Sequence, residues 1–239
     1  MSLLVLSGCT QSNSHSQNDM VTVQLSSDYI LKTHLSPKNE LNEIMADSSN
    51  QYLGIFDLNA LPTKQDSISS TEKQSIEHKN SVSFDIALNK AVFQPNDYPI
   101  YRFDVLTHQD QVRVVVSEDV IDLTGGNTVE KIKMGQYQSA LSQELDMPCY
   151  SLIDHKHSTD KEVYQNHFCL LKNQDPQKAD SIFQVLGPNK SNLLANYNVK
   201  ELDINVKWKT SIKNRSQLYE IQNHVSDLLN IWNIADTKQ

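Results

Sequence analysis

The chain has 239 residues, enough for one generous domain or two small ones at the usual domain size of about 100–150 residues. Its 38% hydrophobic content and mean hydropathy of -0.50 fit a folded body with polar appendages. A net charge of -8 at pH 7 argues against nucleic acid as a partner, because phosphate binding asks for a basic face. With 6 glycines, the chain also lacks the glycine-dependent patterns G-x-x-x-x-G-K-[ST], G-x-G-x-x-G and G-x-S-x-G. It holds no apolar run of about 18 residues to span a bilayer.

At the amino terminus, the apolar Leu3-Leu4-Val5-Leu6 is followed by Ser7, Gly8 and Cys9, and then by a polar run from Thr10 to Asp19. An apolar stretch engages the export machinery, small residues fit a peptidase cleft, and a polar tail stays extended in water. Leu6-Ser7-Gly8-Cys9 resembles the lipobox of bacterial lipoproteins. The resemblance implies that Cys9 carries lipid and becomes the first residue after cleavage. Residues 1–8 are then a truncated signal peptide, because such signals run about 15–30 residues with a basic start, and none of these is charged. Thr10 stands where an aspartate would resemble an inner-membrane retention signal. The expected address is therefore the cell envelope, anchored at the outer membrane and facing the periplasm or the surface. Stable anchoring takes more than one acyl chain, at about 0.8 kcal/mol per buried methylene, and a triacylated cysteine supplies them. Residues 9–20 would form a flexible tether.

Residues 21–25 alternate and read as a strand. Ser36-Pro37 looks like an N-cap followed by proline at the first helical position, opening a helix through Leu41, Ile44 and Met45. Residues 52–58 read as a second strand, so 21–58 forms a strand-helix-strand segment. From 59 to 80 the chain loses periodicity and reads as a polar linker or loop. The main domain, 81–239, begins with strands at 82–88, 99–107 and 111–117, the last with the β-branched stripe Val112, Val114 and Val116. After Thr124-Gly125-Gly126-Asn127, Thr128 caps a predicted helix to about Leu145, with Ile132, Met134, Tyr137, Leu141 and Leu145 on one face.

Strands around Cys149 and Cys169 follow, then a turn-rich stretch with Asp175-Pro176 and Gly187-Pro188. The clearest strand alternates Leu202, Ile204, Val206 and Trp208 with polar residues. Asn214 and Gln217 resemble a capping box. Leu218, Ile221, Val225, Leu228, Leu229 and Trp232 then recur at helical spacing, and both tryptophans are expected in the core. The fold class expected is α+β, an antiparallel sheet flanked by helices. Three strand-like segments and then a helix, given once by 81–145 and again by 148–235, resemble the PsbP-like α/β/α sandwich. That resemblance implies binding or adaptor work more often than catalysis.

With Cys9 set aside, an even pair remains, Cys149 and Cys169, which in an exported protein suggests a disulfide; two buried free thiols are the alternative. Asp154, His155, His157, Asp160 and His167 cluster in one polar stretch, and imidazoles with carboxylates are transition-metal ligands. His155, His157 and His167 lack C-x-x-C or H-E-x-x-H spacing, however, so no metal site is assigned. Ser70-Thr71-Glu72-Lys73 matches S-x-x-K but lacks the S-D-N and K-T-G that accompany it in penicillin-recognising enzymes. No catalytic residue and no cofactor is expected. The leading expectation is a non-catalytic envelope lipoprotein that binds another protein, as an immunity lipoprotein against a delivered toxin or as an accessory subunit of a secretion or assembly system. The alternative is a periplasmic domain that binds a small molecule or metal through the His155/His157 loop.

Overall fold

The computed structural model describes residues 20–34, 50–60, 76–88, 111–118, 120–121, 123, 134, 136–142, 145–152, 168–170, 181–186 and 191–235. Where side chains alternate between apolar and polar, one face of a strand is buried and the chain pairs into sheets. The strands in order are β1 (Met20–Ser26), β2 (Tyr29–His34), β3 (Asn50–Asp57), β4 (Ile76–His78), β5 (Ser81–Ala87), β6 (Gln111–Glu118), β7 (Tyr137–Leu141), β8 (Pro148–Leu152), β9 (Phe168–Cys169), β10 (Ser181–Leu186), β11 (Asn192–Val199) and β12 (Ile204–Ser211). The helix α1 (Leu218–Trp232) follows a 3-10 stretch over Ile212–Gln217.

A nine-stranded sheet runs β3-β5-β6-β12-β11-β10-β9-β8-β7, and a three-stranded sheet runs β2-β1-β4. Neighbours are antiparallel except β3 with β5 and β1 with β4. The β-branched stripe Val112, Val114 and Val116 lies between Val82, Phe84 and Ile86 of β5 and Val206 and Trp208 of β12. Leu193, Ala195 and Tyr197 of β11 continue the same face, and all of these residues are buried.

The amphipathic helix closes that face. Leu218, Ile221, Val225, Leu228, Leu229 and Trp232 are buried on its inner side. Trp232 packs on Phe56 and Phe84 at ring separations of 4.7 and 5.1 Å. The small sheet contributes Val23, Leu25, Tyr29 and Leu31 to the same core. It is tied to the end of α1, where Asn233 Nδ2 donates to the Asp28 carbonyl at 3.0 Å and the Ile234 amide donates to the Ile30 carbonyl at 2.8 Å.

These observations correct the expected fold class. The architecture is dominated by β-sheet, not α+β with helices flanking an antiparallel sheet. Among the described residues there is one α-helix, and the second element over the core is the sheet β2-β1-β4. The helix expected from Thr128 to Leu145 gives way to strand β7 at Tyr137–Leu141, because pairing with β8 satisfies that backbone through Tyr137↔Leu152 to Leu141↔Pro148. Tertiary pairing of this kind overrides spacing-based helix propensity. Ile76–His78, inside the expected linker, forms β4 against β1. The capping box does not form. Asn214 instead donates to Thr210 Oγ1 at 2.7 Å, and Ser211 caps the 3-10 stretch by accepting from the Lys213 amide. The helix expected after Ser36-Pro37 and the strand at 99–107 lie outside the described residues.

Candidate functional site

Alternation gives the nine-stranded sheet a second face, opposite α1, and that face is polar at its centre. Asp85 is paired with Arg113, which is paired with Lys209, in turn opposite Leu194. One step along the strands, Ser83, Val115, Lys207 and Asn196 form the next row. The row beyond holds Ser81, Ser117, Asn205 and Asn198. Lys207 is exposed, while Arg113, Val115, Ser117, Lys209 and Asn196 are half-buried.

Two interactions fix this face. The Arg113 guanidinium grips the Asp85 carboxylate with both arms, Nε donating to Oδ1 and Nη2 donating to Oδ2 at 3.0 Å. The Asp85 side chain is fully buried and that of Arg113 retains 23% exposure. The pair's forked geometry suits a planar carboxylate, and a buried carboxylate without its partner would be costly. Asn205, also buried, donates to Asn196 Oδ1 at 2.9 Å, to Asn198 Oδ1 at 3.0 Å and to the Tyr197 carbonyl at 3.1 Å. Asn198 in turn donates to the Ile121 carbonyl at 2.7 Å, pinning that segment over the sheet. Beside it Leu123 packs with Phe168, Leu170, Ile182 and Tyr150 in a small apolar cluster on the same side.

The core side holds three polar groups that matter for stability. Tyr29 is buried with a hydroxyl that finds no hydrogen-bond partner among the described residues, and the hydroxyl of the buried Tyr197 faces the side chains of Ser226 and Gln222. Burial raises both phenols above their ordinary range; Tyr197 adds to this at Tyr29, and Ser226 and Gln222 oppose it at Tyr197. His224 sits on the inner side of α1, and its Nε2 finds no hydrogen-bond partner among the described residues. Burial depresses its pKa, and nearby Asp227, Asp57 and Glu220 work against that.

Of the residues singled out in the sequence, the structure brings Cys149 and Cys169 together as a disulfide between β8 and β9. Cys9, the Ser70–Lys73 tetrad, Asp154, His155, His157, Asp160 and His167 lie outside the described residues. Among the described residues, no group of three or more His, Cys, Asp or Glu side chains is placed to hold a metal. No helix of the described residues is long and apolar enough to cross a membrane. The sequence reading missed Asp85, Arg113, Asn205 and Asn198. The available signal was a polar residue inside an otherwise apolar strand, as in Phe84-Asp85-Ile86 and Val112-Arg113-Val114.

No protein-family model and no curated protein matches the chain. In three dimensions it is similar to Smlt3025, an immunity protein of the Stenotrophomonas maltophilia type IV secretion system. The TM-score is 0.41 and the identity 9%, over 63% of this chain and 81% of that one.

Proposed function

We propose that this is a non-catalytic lipoprotein of the cell envelope, anchored through Cys9, whose β domain binds another protein with the polar face of its main sheet. The observation that carries the reading is Leu6-Ser7-Gly8-Cys9 followed by the polar run to Asp19. That order places small residues and an acceptor cysteine between an apolar stretch and a tether. The Cys149–Cys169 disulfide supports an oxidising compartment. A sheet face whose side chains are held by Arg113–Asp85 and by the Asn205 bonds, with Lys207 exposed among them, supports protein binding. Such a surface loses little conformational freedom when a partner covers it.

Within that reading, the partner is a toxin delivered by a neighbouring cell and the protein is its immunity factor. The alternative role in the same class is an accessory subunit of a secretion or assembly system.

The anchor is tested by intact mass and membrane fractionation of the protein expressed with its native upstream sequence, beside Cys9→Ala. Acyl mass and membrane association in the wild type alone are expected; a soluble, unmodified wild type would sink the anchor. The immunity role is tested in cells. Deleting the gene should make cells sensitive to killing by wild-type siblings, with rescue by the intact gene and weaker rescue by Lys207→Glu. A deletion strain that competes as well as its parent would rule that role out.

A further inference from the structure

The chain carries 29 acidic against 21 basic side chains, so a basic group with no acid beside it stands out. Most described cations are engaged. Arg113 holds Asp85, Lys79 pairs with Glu77 at 3.1 Å, and Lys32, Lys200 and Lys209 have interactions of their own. Lys207, Lys213 and Arg215 differ: all three are exposed, and none forms an ion pair among the described residues. They fall in one run, Ile204 to Tyr219, which holds the cations Lys207, Lys209, Lys213 and Arg215 and no aspartate or glutamate.

The fold fixes this run. β12 is paired on both sides, with β6 and β11, and presents Lys207 and Lys209 on the polar side of the sheet. Beyond it the Ile212 amide donates to the Ser191 carbonyl at 2.9 Å, Ser211 accepts from the Lys213 amide and Asn214 donates to Thr210. The 3-10 stretch therefore leaves the end of the sheet in one set shape. At about 3.3 Å per strand residue, Lys213 lies no more than about 20 Å from Lys207, within the breadth of a standard interface of about 800 Å² per partner. Tyr219, soon after Arg215, is 56% exposed. Tyrosine and arginine are enriched among the side chains that dominate protein–protein contacts.

We propose, building on the protein-binding reading above, that the run from Lys207 to Arg215, with Tyr219, docks an acidic patch of the partner protein. The contact then extends from the sheet face onto the turn before α1. Charge and symmetry select this occupant. At physiological salt the attraction of these cations fades over about 8 Å. A membrane or a nucleic acid is an extended polyanion, and over a broad contact it meets the chain's net charge of -8 as well as the cations. A folded partner can set its carboxylates against the cations alone. A second copy docked about a two-fold axis would lay the patch on itself, cation against cation. A basic partner surface is repelled in the same way. Pairs at such exposed positions fix partner choice and speed encounter more than they add affinity.

The test uses the full chain carrying Cys9→Ala, isotope-labelled for amide NMR, with a poly-glutamate peptide as the probe. At physiological salt the peptide should shift the amides from Lys207 to Tyr219, although the net charge of the protein repels it. Lys213→Glu with Arg215→Glu should weaken that binding roughly tenfold at an unchanged thermal midpoint. A peptide that leaves these amides unmoved, or that binds the double variant as well as the wild type, overturns the proposal. Phosphatidylglycerol vesicles are the second probe; vesicle binding through the same cations, in place of peptide binding, overturns it in favour of a membrane. In the killing assay the double variant should rescue the deletion strain less well than the intact gene. Full rescue by it beside impaired rescue by Lys207→Glu overturns the part given to the turn and leaves the protein-binding reading standing. A deletion strain that needs no rescue removes the immunity role instead, and the peptide shifts then decide the patch by themselves.

Discussion

From β5 to β11 the nine-stranded sheet is sewn by long ladders, Ser81↔Ser117 through Ala87↔Gln111 on one side and Asn192↔Ser211 through Val199↔Ile204 on the other. Beyond β10 it narrows to the two-residue β9, which meets β10 at the single pair Phe183↔Cys169. The centre is further held by the Asp85–Arg113 pair and the Asn205 bonds on one face and by the helix on the other. The β7–β8 hairpin instead relies on a covalent bond to β9 on the core side and on the Tyr150–Phe168 stack, 5.4 Å apart, on the other. One sheet thus combines a region made stable by many weak, cooperative contacts with a region made stable by a staple. The two should respond to different insults.

The largest effect is expected at the centre. Arg113→Met leaves the buried Asp85 carboxylate without its partner and should cost about 3–5 kcal/mol, seen as a lower denaturant midpoint. Pairing it with Asp85→Leu should recover much of the loss, and a double variant as unstable as the single one would mean the pair matters for more than its buried charge.

Removing the staple comes next. Cys149→Ser with Cys169→Ser opens a loop of sequence separation 20 and should cost about 3 kcal/mol by the chain-entropy argument. Hydrogen exchange should quicken in β7 and β8 and remain slow in β6 and β12. Uniform acceleration would show that the two regions are one cooperative unit.

Asn205→Ala removes the hub of three hydrogen bonds and strands the acceptors on Asn196 and Asn198. It should cost about 1–3 kcal/mol with exchange changes confined to β11 and β12.

The smallest effect is a matter of pH. Burial holds the His224 pKa below the ordinary imidazole value of 6.5, so the folded state binds this proton less well than the unfolded chain. The neutral form's contribution is complete above about pH 6.5 and is lost as pH falls from there toward the folded pKa. The difference in unfolding free energy between wild type and His224→Gln should be flat at alkaline pH and shift against the wild type below about 6.5. A difference that stays constant down to pH 5 would place the ring in water.

The sequence disclosed the centre better than the flank, for physical reasons. Ile204, Val206 and Trp208 alternate cleanly, and Leu218 through Trp232 keep helical spacing, so β12 and α1 were legible from periodicity alone. β11 carries a weaker signal although Leu193, Ala195 and Tyr197 also alternate. Its outward residues include Asn192, Asn196 and Asn198, a type depleted in strands, and their use becomes clear only with Asn205 on the neighbouring strand. β10 lies between Asp175-Pro176 and Gly187-Pro188, whose turn signals mask a short strand. β7 is ambiguous in sequence because Met134, Tyr137 and Leu141 fit a helical face as well as a strand. What decided between them was a partner strand, not a local preference. The Asp85–Arg113 pair was invisible for a related reason, since its members stand 28 residues apart in the chain and meet only through register.

The clasp between Asn233 and the β1–β2 turn carries a consequence for the order in which the chain is made. Asn233 Oδ1 accepts from the Ile30 amide across 203 positions of sequence, and its amide nitrogen reaches Asp28 across 205. On a ribosome, residues 28–30 emerge long before residue 233 exists. The first hairpin must therefore wait, unclasped, until the chain through residue 233 has been synthesised. Contacts of such span slow folding.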